Sequence, residues 1–234
     1  MPARTETVTV ADGSFAMPLW LPAGGTGPGI LLIQEIYGVG PYIMAVAEDL
    51  AGMGYAVGAP DMFWRIRPGW VGEHTERGTR ESIELASRFD GRAGVADLGA
   101  ALDHLKGLPE VTGGVGALGF CFGGSMAYLL AAERDDLAAC VSFYGSQVPG
   151  ALDLAPRIGC PIQFHFGGSD PYIPREQVAA VERAVAGMPN AEIHVQEEAG
   201  HAFHNRKSAM FHQPEAADRA WRLTEGFLAR HLPA

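Results

Sequence analysis

Five short, mostly continuous apolar runs separated by stretches of helical periodicity constrain the fold of this chain more than any other feature. They occupy residues 29–33, 55–59, 115–118, 138–143 and 162–166. Runs that do not alternate with polar residues suit strands covered on both faces, so they predict a parallel sheet. Between them Val95, Leu98, Leu102 and Leu105 share one helical face, and Ala220, Trp221, Phe227 and Leu228 form a second stripe near the C-terminus. Strands alternating with helices point to right-handed βαβ crossovers and a mostly parallel, doubly wound α/β sheet. Ahead of them, residues 7–10, a turn at 11–14 and residues 15–19 read as an antiparallel hairpin, at a sheet edge because Pro18 is tolerated only there. No repeat, low-complexity tract or Pro/Ser-rich linker divides the sequence, so a single domain over residues 1–234 is expected. Residues 65–78 carry Gly, Pro and charge with weak periodicity, and are expected to form a loop or cap.

A chain of 234 residues buries a substantial core without disulfide staples. Its formal net charge of −10 disfavours phosphate backbones and anionic membrane surfaces, so neither nucleic acid nor membrane is an expected partner. The N-terminus lacks an apolar segment of the signal-peptide type, and no run of eighteen apolar residues follows; the expected location is the cytoplasm. Three widely spaced cysteines suit a reducing compartment, and no C-x-x-C or zinc-type Cys/His pair is present. Cys140 and Cys160 lie in apolar, strand-like runs and read as inert core thiols. Without a G-x-G-x-x-G after the first parallel strand or a Walker-type Lys, neither nucleotide, other cofactor nor metal is expected.

The third cysteine stands in a different setting. Gly119-Phe120-Cys121-Phe122-Gly123-Gly124 follows the apolar run 115–118 and precedes a helix-like stretch. This is the context of a nucleophile elbow, where small residues on either side let a strained turn project one side chain outward. Here that side chain is a thiol, beside the backbone N–H of Phe122 and a helix N-terminus able to receive an oxyanion. Ligands in open α/β sheets sit at the carboxyl ends of strands. There Asp170 follows the run 164–169, and His201 follows another strand and a Gly turn. The order nucleophile, acid, base is that of the α/β-hydrolases. In that chemistry His201 moves the thiol proton while Asp170 fixes its tautomer. His204 competes with His201 by position, and His165, inside an apolar run, reads as a satisfied core residue. Glu35 ends the first parallel strand, and the residues alone leave it open between a structural salt bridge and a functional acid.

Taken together, Gln34-Glu35-Ile36-Tyr37-Gly38, Ala59-Pro60-Asp61, the Cys121 elbow, Gly167-Gly168-Ser169-Asp170 and Glu198-Ala199-Gly200-His201-Ala202-Phe203 resemble the dienelactone hydrolases, the carboxymethylenebutenolidase family of α/β-hydrolases. The resemblance implies a Cys121, His201, Asp170 triad and an oxyanion hole from the amides of Ile36 and Phe122. It implies for Glu35 an acid that meets the resting thiol and helps ionise it when an anionic substrate enters. The implied reaction opens a small enol lactone to maleylacetate through a thioester, without cofactor. Arg80, Arg206 and Tyr37 are the substrate-binding candidates, the arginines for a bidentate grip on a carboxylate. The sequence departs from the best-known members at Asn205, where they carry the Arg, and at Ile83 and Ala86, where they carry aromatics; Phe63, Trp64 or Trp70 are candidates to rebuild that wall. A broader carboxylesterase or thioesterase, or a non-catalytic binding or redox thiol protein, are the competing readings, as a monomer or small homo-oligomer.

Overall fold

A computed structural model describes all 234 residues, with eight strands and six α-helices. The chain divides into two compact units, residues 1–117 with Ala234, and residues 118–233. The division falls inside one strand, β5 (Val111–Phe120).

In the first unit β1 (Arg4–Val10) and β2 (Gly13–Trp20) form the expected antiparallel hairpin, with Val8 opposite Phe15 and Val10 opposite Gly13. Strand β2 then pairs antiparallel with β4 (Ala56–Gly58) from Leu19 on, so Pro18 lies in a strand flanked on both sides and not at the expected edge, its carbonyl accepting from Ala59 N at 3.0 Å, and β4 pairs parallel with β3 (Gly27–Ile33). Every residue of β3 is buried, which its unbroken apolar run requires. Helix α1 (Pro41–Gly52) starts with Pro at its first turn, where the missing N–H costs no hydrogen bond. It packs on β4, and α3 (Gly91–Lys106) packs on β1 and β3. The Asp90 side chain caps α3 by accepting from the amides of Arg92 at 3.0 Å and Ala93 at 3.1 Å. On its inner face Leu98, Leu102 and Leu105 are buried, with Val95 half-buried at the margin.

The segment expected as a loop or cap at 65–78 is firmly tied. Arg65 forms ion pairs with Asp12 and Asp97, Trp64 Nε1 donates to Asp97 at 2.9 Å, and the Gly69 amide donates to Asp61 at 2.7 Å. Its last residues are helical rather than loop, because Thr75 caps α2 (Glu76–Ser87) by accepting from Gly78 N at 3.1 Å.

In the second unit β6 (Cys140–Phe143), β7 (Ile162–Gly167) and β8 (Ala191–Gln196) pair in parallel. Helix α4 (Phe122–Glu133) packs on β6, α5 (Arg175–Val185) on β8, and α6 (Pro214–His231) on β7 and β8. Cys140 opens β6 with its thiol on Ala127 O at 3.4 Å, whereas Cys160 lies just before β7 rather than within a strand. Both are buried, and burial raises Cys140 and pushes Cys160 up to about 11, as inert core thiols require. No helix is long and apolar enough to cross a membrane.

Candidate active site

The junction of β5 and α4 turns within one residue. Cys121 has φ 54° and ψ −113°, a conformation that costs a non-glycine residue about 1–3 kcal/mol and that only a tightly built surrounding sustains. Its amide donates to Phe143 O at 2.9 Å, fixing the turn to β6. The flanking glycines are obligatory: a Cβ at Gly119 would lie 2.0 Å from Gly123 O, and one at Gly124 would lie 2.4 Å from Phe143 O. Ser142 Oγ donates to Gly124 O at 2.8 Å, and Ser125 Oγ accepts from Gln147 N at 3.0 Å, so the first turn of α4 is held from two sides. Phe122 supplies the first helical amide after the thiol.

Around this turn the fold assembles a hydrogen-bonded line. His201 Nε2 lies 3.0 Å from Cys121 Sγ, and His201 Nδ1 lies 2.7 Å from Asp170 Oδ2. Asp170 sits just beyond β7, 3 % exposed, and its other oxygen accepts from the amides of Tyr172 at 2.8 Å and Ile173 at 3.2 Å. Burial works against the charged imidazolium of His201, but the Cys121 sulfur and the Asp170 carboxylate outweigh it and raise the group to about 11. An imidazole so placed can take a proton from the sulfur while the carboxylate holds its Nδ1–H. The loop that carries it turns through Ala202 at φ 54° and is tied at Gly200, whose amide donates to Gln213 Oε1 at 2.8 Å. His201 stands between two tyrosine rings: Tyr144, fully buried with φ 36°, at 5.2 Å and Tyr172 at 5.1 Å. Sequence reasoning missed both tyrosines, since nothing in their spacing distinguishes them from core aromatics.

The competing histidines have other surroundings. His204 is buried between Phe120, at 5.4 Å, and Trp221, at 5.0 Å. Burial, helped by Arg206 and His212, lowers it to about 3 and keeps the ring neutral. His165 is fully buried and held at Nε2 by Gln163 Oε1 at 2.8 Å and Thr224 Oγ1 at 3.1 Å. Arg206 is exposed and lines a cavity of about 220 Å³ with His204, His212, Asp218 and Trp221, to which neither Cys121 nor His201 contributes. With Asn205 buried ahead of it, the side chain leaves the loop toward α6.

The remaining candidates belong to the first unit. Glu35 is 2 % exposed, with Oε2 3.9 Å from His74 Nε2, a neighbour that sequence reasoning did not identify. Ile36 O accepts from Trp70 Nε1 at 3.2 Å. Gln34 braces this strand end, donating to Glu35 O at 3.2 Å and accepting from Met62 N at 3.1 Å. Tyr37 is buried, its hydroxyl 2.9 Å from Thr79 Oγ1 and its ring 4.3 Å from that of His74. The Arg80 side chain on α2 is 72 % exposed and 4.0 Å from Glu76. Phe63 is wholly buried with Phe89 at 5.9 Å, Trp70 is nearly buried, and Trp64 stacks on Phe15 at 5.6 Å.

Comparison with known proteins covers almost all of this architecture. The model of the dienelactone hydrolase family matches residues 15–232. The carboxymethylenebutenolidase of Pseudomonas putida is 32% identical over 217 residues, covering 91% of this chain and 92% of that protein. That of Pseudomonas sp. strain P51 is 33% identical over 222 residues, covering 94% and 92%. A solved structure from Klebsiella pneumoniae, classed with the dienelactone hydrolases, superposes with a TM-score of 0.84 at 26% identity, covering 97% of this chain and 98% of that one. The parallel strands, the elbow and this match over nearly the whole length lead to one conclusion: the chain belongs to the dienelactone hydrolase family, carboxylic ester hydrolases of the α/β-hydrolase fold.

Proposed function

We propose that this protein opens a small activated ester or enol lactone by attack of Cys121, through a thioester intermediate and without a cofactor. The observation that carries the reading is the line Asp170 Oδ2, His201, Cys121 Sγ, with contacts of 2.7 and 3.0 Å. When the thiol proton moves to His201, sulfur becomes a thiolate, the reactive form of cysteine. Its electron pair adds to the acyl carbon, and the carbonyl oxygen becomes an oxyanion stabilised by the Phe122 amide at the start of α4. Collapse breaks the acyl C–O bond, and the enolate or alkoxide leaves with the proton of His201, whose imidazole is then neutral. Water then gives a proton to His201 as its oxygen attacks the thioester, and the acid product departs with the thiolate restored. A thiolate suits an enolate leaving group, which departs readily, and unactivated amides are expected to be poor substrates.

Glu35 and the Ile36 amide carry the roles that the family resemblance gives them, an acid that helps ionise the thiol and a second oxyanion donor. The natural substrate in this reading is anionic and the enzyme acts in the cytoplasm. Turnover of dienelactone and p-nitrophenyl acetate by wild type, Cys121→Ala and Glu35→Gln tests the whole scheme. Cys121→Ala should abolish turnover, and mass spectrometry of wild type quenched during turnover should find the acyl group on Cys121. Equal rates in wild type and Cys121→Ala would refute the nucleophile. Glu35→Gln should retain the fold and lose activity; unchanged rates would remove Glu35 from the mechanism.

Two observations favour a broader carboxylesterase or thioesterase. Arg206 lines a cavity apart from Cys121 and His201, and Arg80 is largely in solvent beside Glu76, which weakens the case for a dedicated carboxylate clamp. If long-chain esters exceed small anionic lactones in kcat/KM, the broader reading holds.

A further inference from the structure

We propose that Tyr172 is a specificity-determining residue, an aromatic wall over the proton-carrying histidine that favours esters and lactones with a planar, unsaturated leaving portion. The proposal rests on the Cys121 reading above.

Its first support is how the chain presents the ring. Asp170-Pro171-Tyr172-Ile173-Pro174 leaves β7 with two prolines limiting the backbone. One oxygen of Asp170 takes the amides of Tyr172 and Ile173, and the Ile173 side chain is fully buried, so the segment is anchored on both sides of the ring. Tyr172 itself is nevertheless 58 % exposed, among the most exposed large apolar side chains in the protein. A ring on an anchored segment, turned to solvent, contributes little to the core. It keeps an aromatic face available to something that arrives from outside.

The second support is position. The Tyr172 ring meets His201 edge to face, with centroids 5.1 Å apart at 70°, while the buried Tyr144 covers the same imidazole at 5.2 Å. During turnover Nε2 must come within hydrogen-bond reach of the leaving oxygen and later of water. On this proposal a planar group bonded to Nε2 rests beside the Tyr172 ring, whose centroid is 5.1 Å from that of the imidazole, and ring centroids about 4.5–7 Å apart attract each other. A flat enol or aryl group gains that contact; a compact tetrahedral one does not. Tyr172 would therefore act on the choice of substrate, without exchanging protons.

The test compares kcat/KM for phenyl acetate with that for hexafluoroisopropyl acetate, whose leaving alcohol is also acidic but not planar, in wild type, Tyr172→Ala, Tyr172→Phe and Cys121→Ala. Tyr172→Ala should lower kcat/KM for phenyl acetate about 3- to 10-fold and that for the fluoroalkyl ester less than about 2-fold, with Tyr172→Phe restoring the wild-type ratio. The pH profile of kcat/KM should keep its position, since His201 retains its bonds to Asp170 and Cys121. Equal losses on both esters, a displaced pH profile, or no loss at all would overturn the proposal. Cys121→Ala separates the two levels: loss of both activities there leaves the nucleophile intact whatever Tyr172 does, whereas surviving activity overturns both readings.

Discussion

Replacing Gly119 with Ala should damage the elbow through one methyl group. The added Cβ would sit 2.0 Å from Gly123 O, 2.3 Å from Gly123 C and 2.9 Å from Gly124 N, all backbone atoms that no rotamer change can move away. A comfortable C···O approach is about 3.3 Å, so the end of β5 and the first turn of α4 must separate by more than about 1 Å. Overpacking of this kind costs about 1–3 kcal/mol, which in a chain of this size lowers Tm by about 2–12 °C. The activity loss should be larger in proportion. The first turn of α4 carries the amide of Phe122, and a displacement of about 1 Å in a reacting group costs on the order of 10²-fold in rate. Thermal unfolding followed by circular dichroism, together with kcat/KM for p-nitrophenyl acetate, measures both. Gly159→Ala is the control, because a Cβ there meets nothing within 4 Å. A Gly119→Ala protein with the Tm and kcat/KM of wild type would refute the steric account of the turn.

Three further outcomes are expected. Asp170→Asn keeps an acceptor for the Tyr172 and Ile173 amides but presents an N–H to His201 Nδ1, forcing the tautomer whose Nε2 already carries hydrogen; kcat should fall about 10³- to 10⁴-fold with little change in KM, and a fall below 10-fold would count against the relay. His204, which burial lowers from 6.5 to about 3, binds protons more readily unfolded than folded. Its stabilising effect is therefore complete above about pH 6.5 and is lost as pH falls toward 3, about 2 kcal/mol of it between pH 7 and 5. Urea unfolding at the two pH values should show that loss in wild type and a smaller one in His204→Phe; identical slopes would refute it. Thr224→Val removes a hydroxyl that serves buried His165 at 3.1 Å and Gln163 at 3.3 Å, so it should cost about 1–3 kcal/mol by urea unfolding while kcat/KM stays at wild type.

The parts of the fold and site that the sequence made legible are those fixed by local chemistry. Gly119 and Gly124 flank Cys121 because the backbone allows nothing larger, and that requirement is written in consecutive residues. Asp170 and His201 stand where apolar strands give way to polar turns, which period and composition reveal. The boundaries of β5 were less legible: it begins at Val111, because pairing within a sheet tolerates Gly113, Gly114 and Gly116, which propensity alone disfavours. What the sequence hid depends on partners distant along the chain. His204 is a neutral core ring only because Phe120 and Trp221 close on it. The direction of Arg206 follows from the turn at Ala202 and the burial of Asn205, neither of which residue type announces. Tyr172 reads as an ordinary turn aromatic until Asp170 is seen holding its amide and His201 meeting its ring.

That single carboxylate, shared between an imidazole and two main-chain amides, has a practical consequence. Any event that swings the Asp170 side chain away from His201 also releases the N–H groups of Tyr172 and Ile173, so their exchange with deuterated solvent becomes a built-in gauge of whether the Asp170–His201 contact is closed. Two resonances in an NMR spectrum of the resting protein would report, without any substrate, how often that contact opens.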